Sequence, residues 1–398
     1  MNDLSAILAR RSAGFPVLAG ADQPARRALG IDAVRIGRAL LPVRTRELDA
    51  TPFATLVAFE QDDGRVRPDI LPDILIVPPL SGHFGILLRD MVVALLADFR
   101  VLLIDWSNVR HVPARHGPFG FDDNVATVVR MARRGRPELA MVGVCQGGVP
   151  ALAATALLAA TDEPAVPASL ALIGAPIDPL ARPTRVVRLL RERPLGWFVG
   201  TASAVVPDGF PGAGRVVYPA RLQLDALLAY LQRHLSQSGE LREKVRHDDG
   251  ADPARFPFLD LYSSIMDLDA KHFVENIDVV FHARALCQGS LRCHGVPVDL
   301  RAIETTTLLT IEGTEDDIAA PGQTSAAHAL CTALPADLHR KQVVAGAGHF
   351  SLLHGAVFRR EVLPVLREFC DRGRESSSRC CPSARRGARI GQERRTAG

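Results

Sequence analysis

A mostly parallel, doubly wound α/β sheet with an inserted helical cap is the fold this sequence predicts, on three observations. From residue 74 onward, short and wholly apolar runs alternate with amphipathic stretches at βα spacing. That rhythm breaks off at about residue 177 and resumes at about 302. The third apolar run ends in a cysteine flanked by glycines, Gly143-Val144-Cys145-Gln146-Gly147.

The elements follow in order. Residues 1–68 are mixed in character, with an amphipathic helix expected near Gln23 to Leu41 and polar turns through Gln61-Asp62-Asp63-Gly64. Ile74-Leu75-Ile76-Val77 is apolar throughout and is ended by Pro78-Pro79, the pattern of a strand buried on both faces. An amphipathic segment, Leu87 to Phe99, leads to a second such strand, Val101 to Ile104, closed by Asp105-Trp106. A helix over Phe121 to Arg133, a strand over Leu139 to Val144 and an Ala-rich helix from about Gln146 come next, then a strand over Ser169 to Ile173 ended by Gly174. After the break, Thr307 to Ile311 and Lys341 to Ala345 read as strands, and Gln323 to Leu334 and Ala356 to Phe369 as helices.

The interval 177–302 holds long helical patterns, Leu222 to Leu235 and Ala270 to Leu286, with turns such as Pro207-Asp208-Gly209-Phe210-Pro211-Gly212. It reads as a cap inserted between strands of one sheet. The expected organisation is therefore an N-terminal segment 1–68, an α/β domain 69–370 carrying the cap, and a tail 371–398 rich in Ser, Arg and Gly that reads as disordered.

Composition excludes several functions. A hydrophobic fraction of 47% and a charged fraction of 23% are ordinary for a globular chain. No apolar run reaches the roughly 18 residues that a membrane span needs. The first twenty residues place two arginines inside their apolar stretch, so they do not read as a secretory signal. Seven scattered cysteines fit reduced cytoplasmic thiols better than a disulfide framework, and Cys287, Cys293 and His294 lack a second pair at zinc-site spacing. The net charge of +3 conceals a tail of +5, eight arginines against three acids, so the rest of the chain is slightly acidic. Basic residues are not interleaved with aromatics, and nothing reads as a nucleic-acid groove.

The chemistry centres on Cys145. A nucleophile elbow sets its residue on a strained strand-to-helix turn and needs small residues two before and two after it. Gly143 and Gly147 occupy those positions, after an apolar strand and before a helix, which makes Cys145 the candidate nucleophile of an α/β-hydrolase fold. A thiol with an ordinary pKa of about 8.5 is mostly protonated at neutral pH, so it needs a base. Gly346-Ala347-Gly348-His349-Phe350, just after the last strand, supplies His349. The carboxylate that fixes the histidine tautomer belongs after the Thr307–Ile311 strand, in Gly313-Thr314-Glu315-Asp316-Asp317-Ile318. Asp316 fits the spacing to Ile318 and Pro321 better, with Asp317 as the competitor. The order nucleophile, acid, histidine is the one this fold uses. Oxyanion donors are expected from the backbone N–H of Gln146 and from Leu80, the first residue after Pro78-Pro79 that has an N–H; His83, further along the same loop, reads equally as a site-lining or a structural histidine. Neither a G-x-S-x-G nor a G-x-x-x-x-G-K sequence occurs.

With these residues in place the chain resembles the intracellular polyhydroxyalkanoate (poly-3-hydroxybutyrate, PHB) depolymerases, cysteine-nucleophile α/β-hydrolases of storage granules. The stretches that carry the resemblance include PPLSGHFGILLRDMV, VLLIDWSNVRHVP, VCQGGVPALAA, GAPIDPLARPTRV, MDLDAKHFVENIDVVF, LLTIEGTEDDIAAPGQT and GAGHFSLLHG. The resemblance implies a triad of Cys145, one Asp of the 316–317 pair and His349, and cleavage of polymer esters to hydroxyacids or oligomers. It implies no resident cofactor, with coenzyme A as an alternative acyl acceptor, and a cytoplasmic place at the granule surface; a homo-oligomer is compatible with it. The family has Pro where Gly147 stands and Tyr where Asn124 and Phe350 stand. The elbow is closer to that of polyhydroxyalkanoate synthases, which leaves an acyltransferase as the alternative. A non-catalytic granule-surface protein is a second one.

Overall fold

The computed structural model describes residues 28–62, 71–161, 163–236 and 240–380. Its central sheet has nine strands: β1 (Ala33–Ile36), β2 (Ala39–Ala50), β3 (Ala54–Gln61), β4 (Asp73–Val77), β5 (Arg100–Trp106), β6 (Ala140–Val144), β7 (Ser169–Ile173) and, after the cap, β13 (Thr307–Gly313) and β14 (His339–Val344). Across the sheet the order is β1-β2-β3-β5-β4-β6-β7-β13-β14. Every pairing from β5 to β14 is parallel, and β1, β2, β3 and β5 pair antiparallel.

Alternation along buried strands divides two cores. Leu75 and Val77 of β4 face one of them with Val125 and Leu152, from the helices Phe121–Ala132 and Gly148–Ala159. Ile74 and Ile76 face the other with Met91 and Leu366, from the helices Arg89–Leu95 and Leu363–Cys380. Helices cover both faces, so β4, β6 and β7 are buried at every residue and read as continuous apolar runs. The topology, with a strand-to-helix elbow at the end of β6, is the α/β-hydrolase fold.

Four expectations need correction. The helix near Gln23 to Leu41 is not formed where the chain is described: residues 33–41 lie in β1, β2 and their turn, and the part before residue 28 lies outside the described residues. The β2–β3 ladder pairs onto β5, so the sheet begins well before residue 69. Gln323 to Leu334 is mostly turns around the short helix Ala327–Leu330, because the buried Glu312 carboxylate accepts the N–H groups of Gly322, Thr324 and Ser325 and bends the chain back on β13. The closing helix continues through Cys380 rather than stopping before 371: Cys370 is buried, and Gly373 lies so close to Ser169 and Thr307 that a Cβ there would meet both at 2.8 Å. The expected disorder of 381–398 lies outside the described residues.

The cap is helical but not wholly so. It contains a small sheet of β8 (Ala204–Val205), β9 (Val216–Tyr218) and β10 (Leu268–Asp269), and a hairpin of β11 (Arg292–Cys293) and β12 (Val296–Pro297). A buried ion pair and bonds to backbone carbonyls fix it to the loop after β5. Arg110 meets Asp267 at 2.7 Å, and Arg215 reaches Asp269 and the carbonyls of Val112, Pro113 and Gly117. No helix among the described residues is long and apolar enough to cross a membrane.

Candidate active site

The site is built where β6 turns into the helix Gly148–Ala159. Val144 is still extended, Cys145 takes φ +51, and one tight turn, Cys145–Gly147, leads into the helix. A left-handed conformation at a residue with a Cβ carries about 1–3 kcal/mol of strain, which surrounding packing must hold. Here the packing is backbone against backbone. A Cβ at Gly147 would sit 2.3 Å from the carbonyl oxygen of Val77, and one at Gly143 would sit 2.7 Å from the Cα of Gly148. The glycines flanking Cys145 thus let the elbow close against its own helix and the end of β4. The same closeness sets the Pro78–Leu80 loop beside the elbow, and Gln146 stands in the first turn, where N–H groups lack intrahelical acceptors. The side chain of Gln146 accepts a 3.3 Å hydrogen bond from Asn276 of the cap helix Ala270–Asn276.

The loops after β13 and β14 converge on the thiol. His349 Nδ1 donates to Asp316 Oδ2 at 2.7 Å, and the ring is near enough to the Cys145 sulfur to interact with it electrostatically. The other oxygen of Asp316 accepts the N–H groups of Ile318 and Ala319 at 2.9 and 2.8 Å, so the carboxylate is oriented before it meets the imidazole. Both side chains are buried. Burial works against charging the His349 ring, but the adjacent Asp316 carboxylate and the Cys145 sulfur outweigh it, and its pKa rises well above the ordinary histidine value. The arrangement therefore stabilises the ring in the protonated form it would reach on taking a proton from the sulfur.

The two candidate acids part company. Asp317, half-exposed, points to the cap helix Ala220–Ser236, accepts from the Tyr230 hydroxyl at 2.6 Å and lies 3.2 Å from His234. It makes no bond to His349.

Several neighbours carried little signal in the sequence. Gly174, at φ +55 just after β7, backs the His349–Asp316 pair; a Cβ there would meet the ring at 3.0 Å, and a glycine closing an apolar strand is the one hint of it. His83 lines the site: burial holds its pKa down to about 4 and the His349 charge adds to that, while Nε2 is bonded to the Tyr262 carbonyl. Phe350, where the resemblance expects Tyr, packs edge-on to Tyr262 and against His349. Asn124, the other departure, is bonded to His272 of the cap. No spacing in the chain announces the Tyr230–Asp317 or Asn276–Gln146 contacts. A cavity of about 640 Å³ lies beside His349, lined by Tyr230, His234, Lys244, Asp317 and Gly348 among others. No group of three or more potential metal-ligating side chains gathers among the described residues.

Residues 174–374 match a family model described as PHB de-polymerase C-terminus. A search of curated proteins found no match. Similar solved structures include a soluble variant of monoglyceride lipase from Saccharomyces cerevisiae (12% identity over 85% of this chain and 97% of that one, TM-score 0.48). Another is the hydrolase of 2-hydroxy-6-oxo-6-phenylhexa-2,4-dienoate from Rhodococcus sp. strain RHA1 (14%, 84% and 99%, 0.47). A third is brefeldin A esterase, a bacterial homologue of human hormone-sensitive lipase (12%, 95% and 86%, 0.43).

Proposed function

We propose, from the premise that this chain belongs to the PHB depolymerase C-terminus family and is a carboxylic ester hydrolase, that it cleaves the ester bonds of a poly-3-hydroxyalkanoate through a thioester on Cys145. The observation that carries this reading is His349, held by Asp316 at 2.7 Å, brought beside the Cys145 sulfur at a strained elbow.

In this mechanism His349 Nε2 takes the thiol proton while Asp316 holds the ring by Nδ1. The sulfur attacks the ester carbonyl, and the N–H groups of Gln146 and Leu80 receive the oxyanion. The C–O bond breaks and His349 returns the proton to the departing alkoxide. Water, activated by the same imidazole, then cleaves the C–S bond to free a hydroxyacid or oligomer. With coenzyme A as acceptor the product is a hydroxyacyl-CoA. Storage granules in the cytoplasm are the setting this substrate implies.

The synthase alternative rests on Gly147. The contact of that residue with the Val77 and Pro78 carbonyls accounts for the glycine without a change of reaction.

The test uses amorphous PHB granules, a soluble 3-hydroxybutyrate ester and 3-hydroxybutyryl-CoA. Granule clearing with an acyl adduct on Cys145, seen by mass, is expected, and Cys145→Ala should remove both by several orders of magnitude. Polymer growth from the CoA ester without granule loss would establish the acyltransferase. Equal granule mobilisation by wild type and Cys145→Ala would leave a binding protein.

A further inference from the structure

Three of the eight large apolar side chains exposed among the described residues fall within twelve residues of the cap: Val186, Leu189 and Trp197. Val186 and Leu189 lie on the helix Arg185–Glu192, one turn apart on its outer side, while Val187 is buried against the core and Leu190 is partly buried there. Arg193, just past the end of that helix, stacks its guanidinium over the Trp197 ring of the following helix, Leu195–Ala202. The stripe is flanked by positive charge. Arg182, Arg185, Arg188, Arg191 and Arg193 are all exposed, against the single acid Glu192. Arg188 and Arg191 rest on backbone carbonyls, of Pro183 and of Phe281 and His282, which leaves their charge uncompensated. A segment of net +4 within residues 1–370, which are slightly acidic as a whole, is not a solvated face of mixed sign.

We propose that this face docks on an anionic lipid surface, with Val186, Leu189 and Trp197 entering the headgroup boundary and the arginines meeting lipid phosphates. Apolar residues with a Trp on one side and arginines around them are the make-up of an interfacial helix, held by buried apolar area together with attraction to anionic lipid. A purely apolar polymer would have no use for the arginines. A soluble polyanion would have no use for the exposed Trp and Leu. The face is tied to the site: Thr184, at the start of the first helix, donates to the carbonyl of Ile318, two residues past Asp316. Phe198 of the second helix packs on Phe273 of the cap helix whose Asn276 reaches Gln146. Docking here would set the cap and the site against the surface. The proposal goes beyond the acyl-transfer reading and fails independently of it.

The chain reports on itself, because Trp106 is buried and Trp197 exposed, and these are its two tryptophans. The purified full-length protein is mixed with phosphatidylcholine vesicles, with or without about one-third phosphatidylglycerol, at low and high salt. Sedimentation with the anionic vesicles alone is expected, weaker at high salt, with a blue shift of emission that Trp197→Phe removes. Arg185→Glu with Arg188→Glu, and separately Leu189→Asp, should each lower partitioning about tenfold or more. The rate on a soluble short-chain ester should be unchanged in all variants, which also certifies their fold. Equal binding to neutral vesicles would overturn the proposal. So would binding without an emission shift that is displaced by RNA, or binding lost when the five arginines from 385 to 395 become glutamine and kept when Arg185 and Arg188 are reversed.

Discussion

Replacing each of the adjacent acids by its amide separates what they do. In Asp316→Asn the oxygen that binds the Ile318 and Ala319 amides can be kept, so the loop should hold its shape. The atom facing His349 Nδ1 then becomes an NH2 group. Two donors cannot share that 2.7 Å contact, so the ring must put its hydrogen on Nε2, the nitrogen that takes the Cys145 proton in the proposed mechanism. Loss of the right tautomer in a Ser-His-Asp enzyme lowers kcat about 10⁴-fold, or about 5.5 kcal/mol of barrier. Asp317→Asn weakens only a half-exposed contact with Tyr230, His234 and Arg233. Exposed pairs contribute about 0.2–1 kcal/mol, so its rate should stay within about fivefold of wild type. The assay is kcat on a soluble 3-hydroxybutyrate ester, with histidine NMR alongside. Burial remains in Asp316→Asn while its carboxylate is gone, so the His349 pKa should drop from its raised value. Comparable kcat losses in the two variants, or more than about a tenth of kcat left in Asp316→Asn, would refute the assignment.

Other expectations follow from the same geometry. Gly147→Ala drives a methyl into the Val77 and Pro78 carbonyls, so melting should report about 1–3 kcal/mol of destabilisation, and kcat should fall further because the elbow moves relative to Leu80; a normal kcat would contradict this. Asp73→Ala leaves Arg100 buried and without its bidentate partner, which should lower stability by about 3–5 kcal/mol in denaturant titrations while the site stays intact. Burial holds His83, His272 and His328 neutral, with pKa values pushed down to about 4, 3 and 4. Below about pH 6.5 the unfolded chain binds protons on these rings that the folded one refuses, so stability should fall as pH drops from about 6.5 toward 4. Asp269, raised to about 6 by burial, acts in the opposite sense, but one carboxyl does not offset three imidazoles. Melting points that hold constant over that range would contradict the buried neutral rings.

The residues that meet at the site were legible because each sits where a strand ends. Cys145 carried glycines that a steric turn demands, the 316–317 pair directly followed an apolar strand, and His349 followed flexible glycines just past the short last strand. The choice between the two acids was not settled by spacing, because consecutive residues of a loop point in different directions. It took the amides of Ile318 and Ala319 to turn Asp316 inward, and the cap tyrosine to draw Asp317 outward. The missed contacts share one origin: Tyr230 and Asn276 approach from cap segments whose distance along the sequence says nothing about their meeting.

The fold was legible in proportion to how deeply a strand is buried. β4, β5, β6 and β7 are covered on both faces, so every residue is apolar or small apart from those at their ends, and the pattern is plain. β2 lies near the sheet's edge and is mostly exposed or half-exposed, with Arg44, Arg46, Glu47 and Asp49 among its residues, so no apolar run betrays it. Its stability comes from the antiparallel ladder to β3 and from charges reaching across, Arg130 and Arg134 on Asp49 and Arg44 on Asp62. Such a strand is held by its neighbours rather than by its own composition, and its mixed sequence reads equally well as a polar helix. The closing helix past residue 371 is the same case in reverse. Its charged, Ser-rich sequence has the composition of a solvated tail, yet Gly373 allows the backbone to lie on Ser169 and Thr307 at the base of the sheet. A Gly373→Leu substitution would then remove more stability than any change on the outward side of that turn, which is the opposite of what composition alone implies.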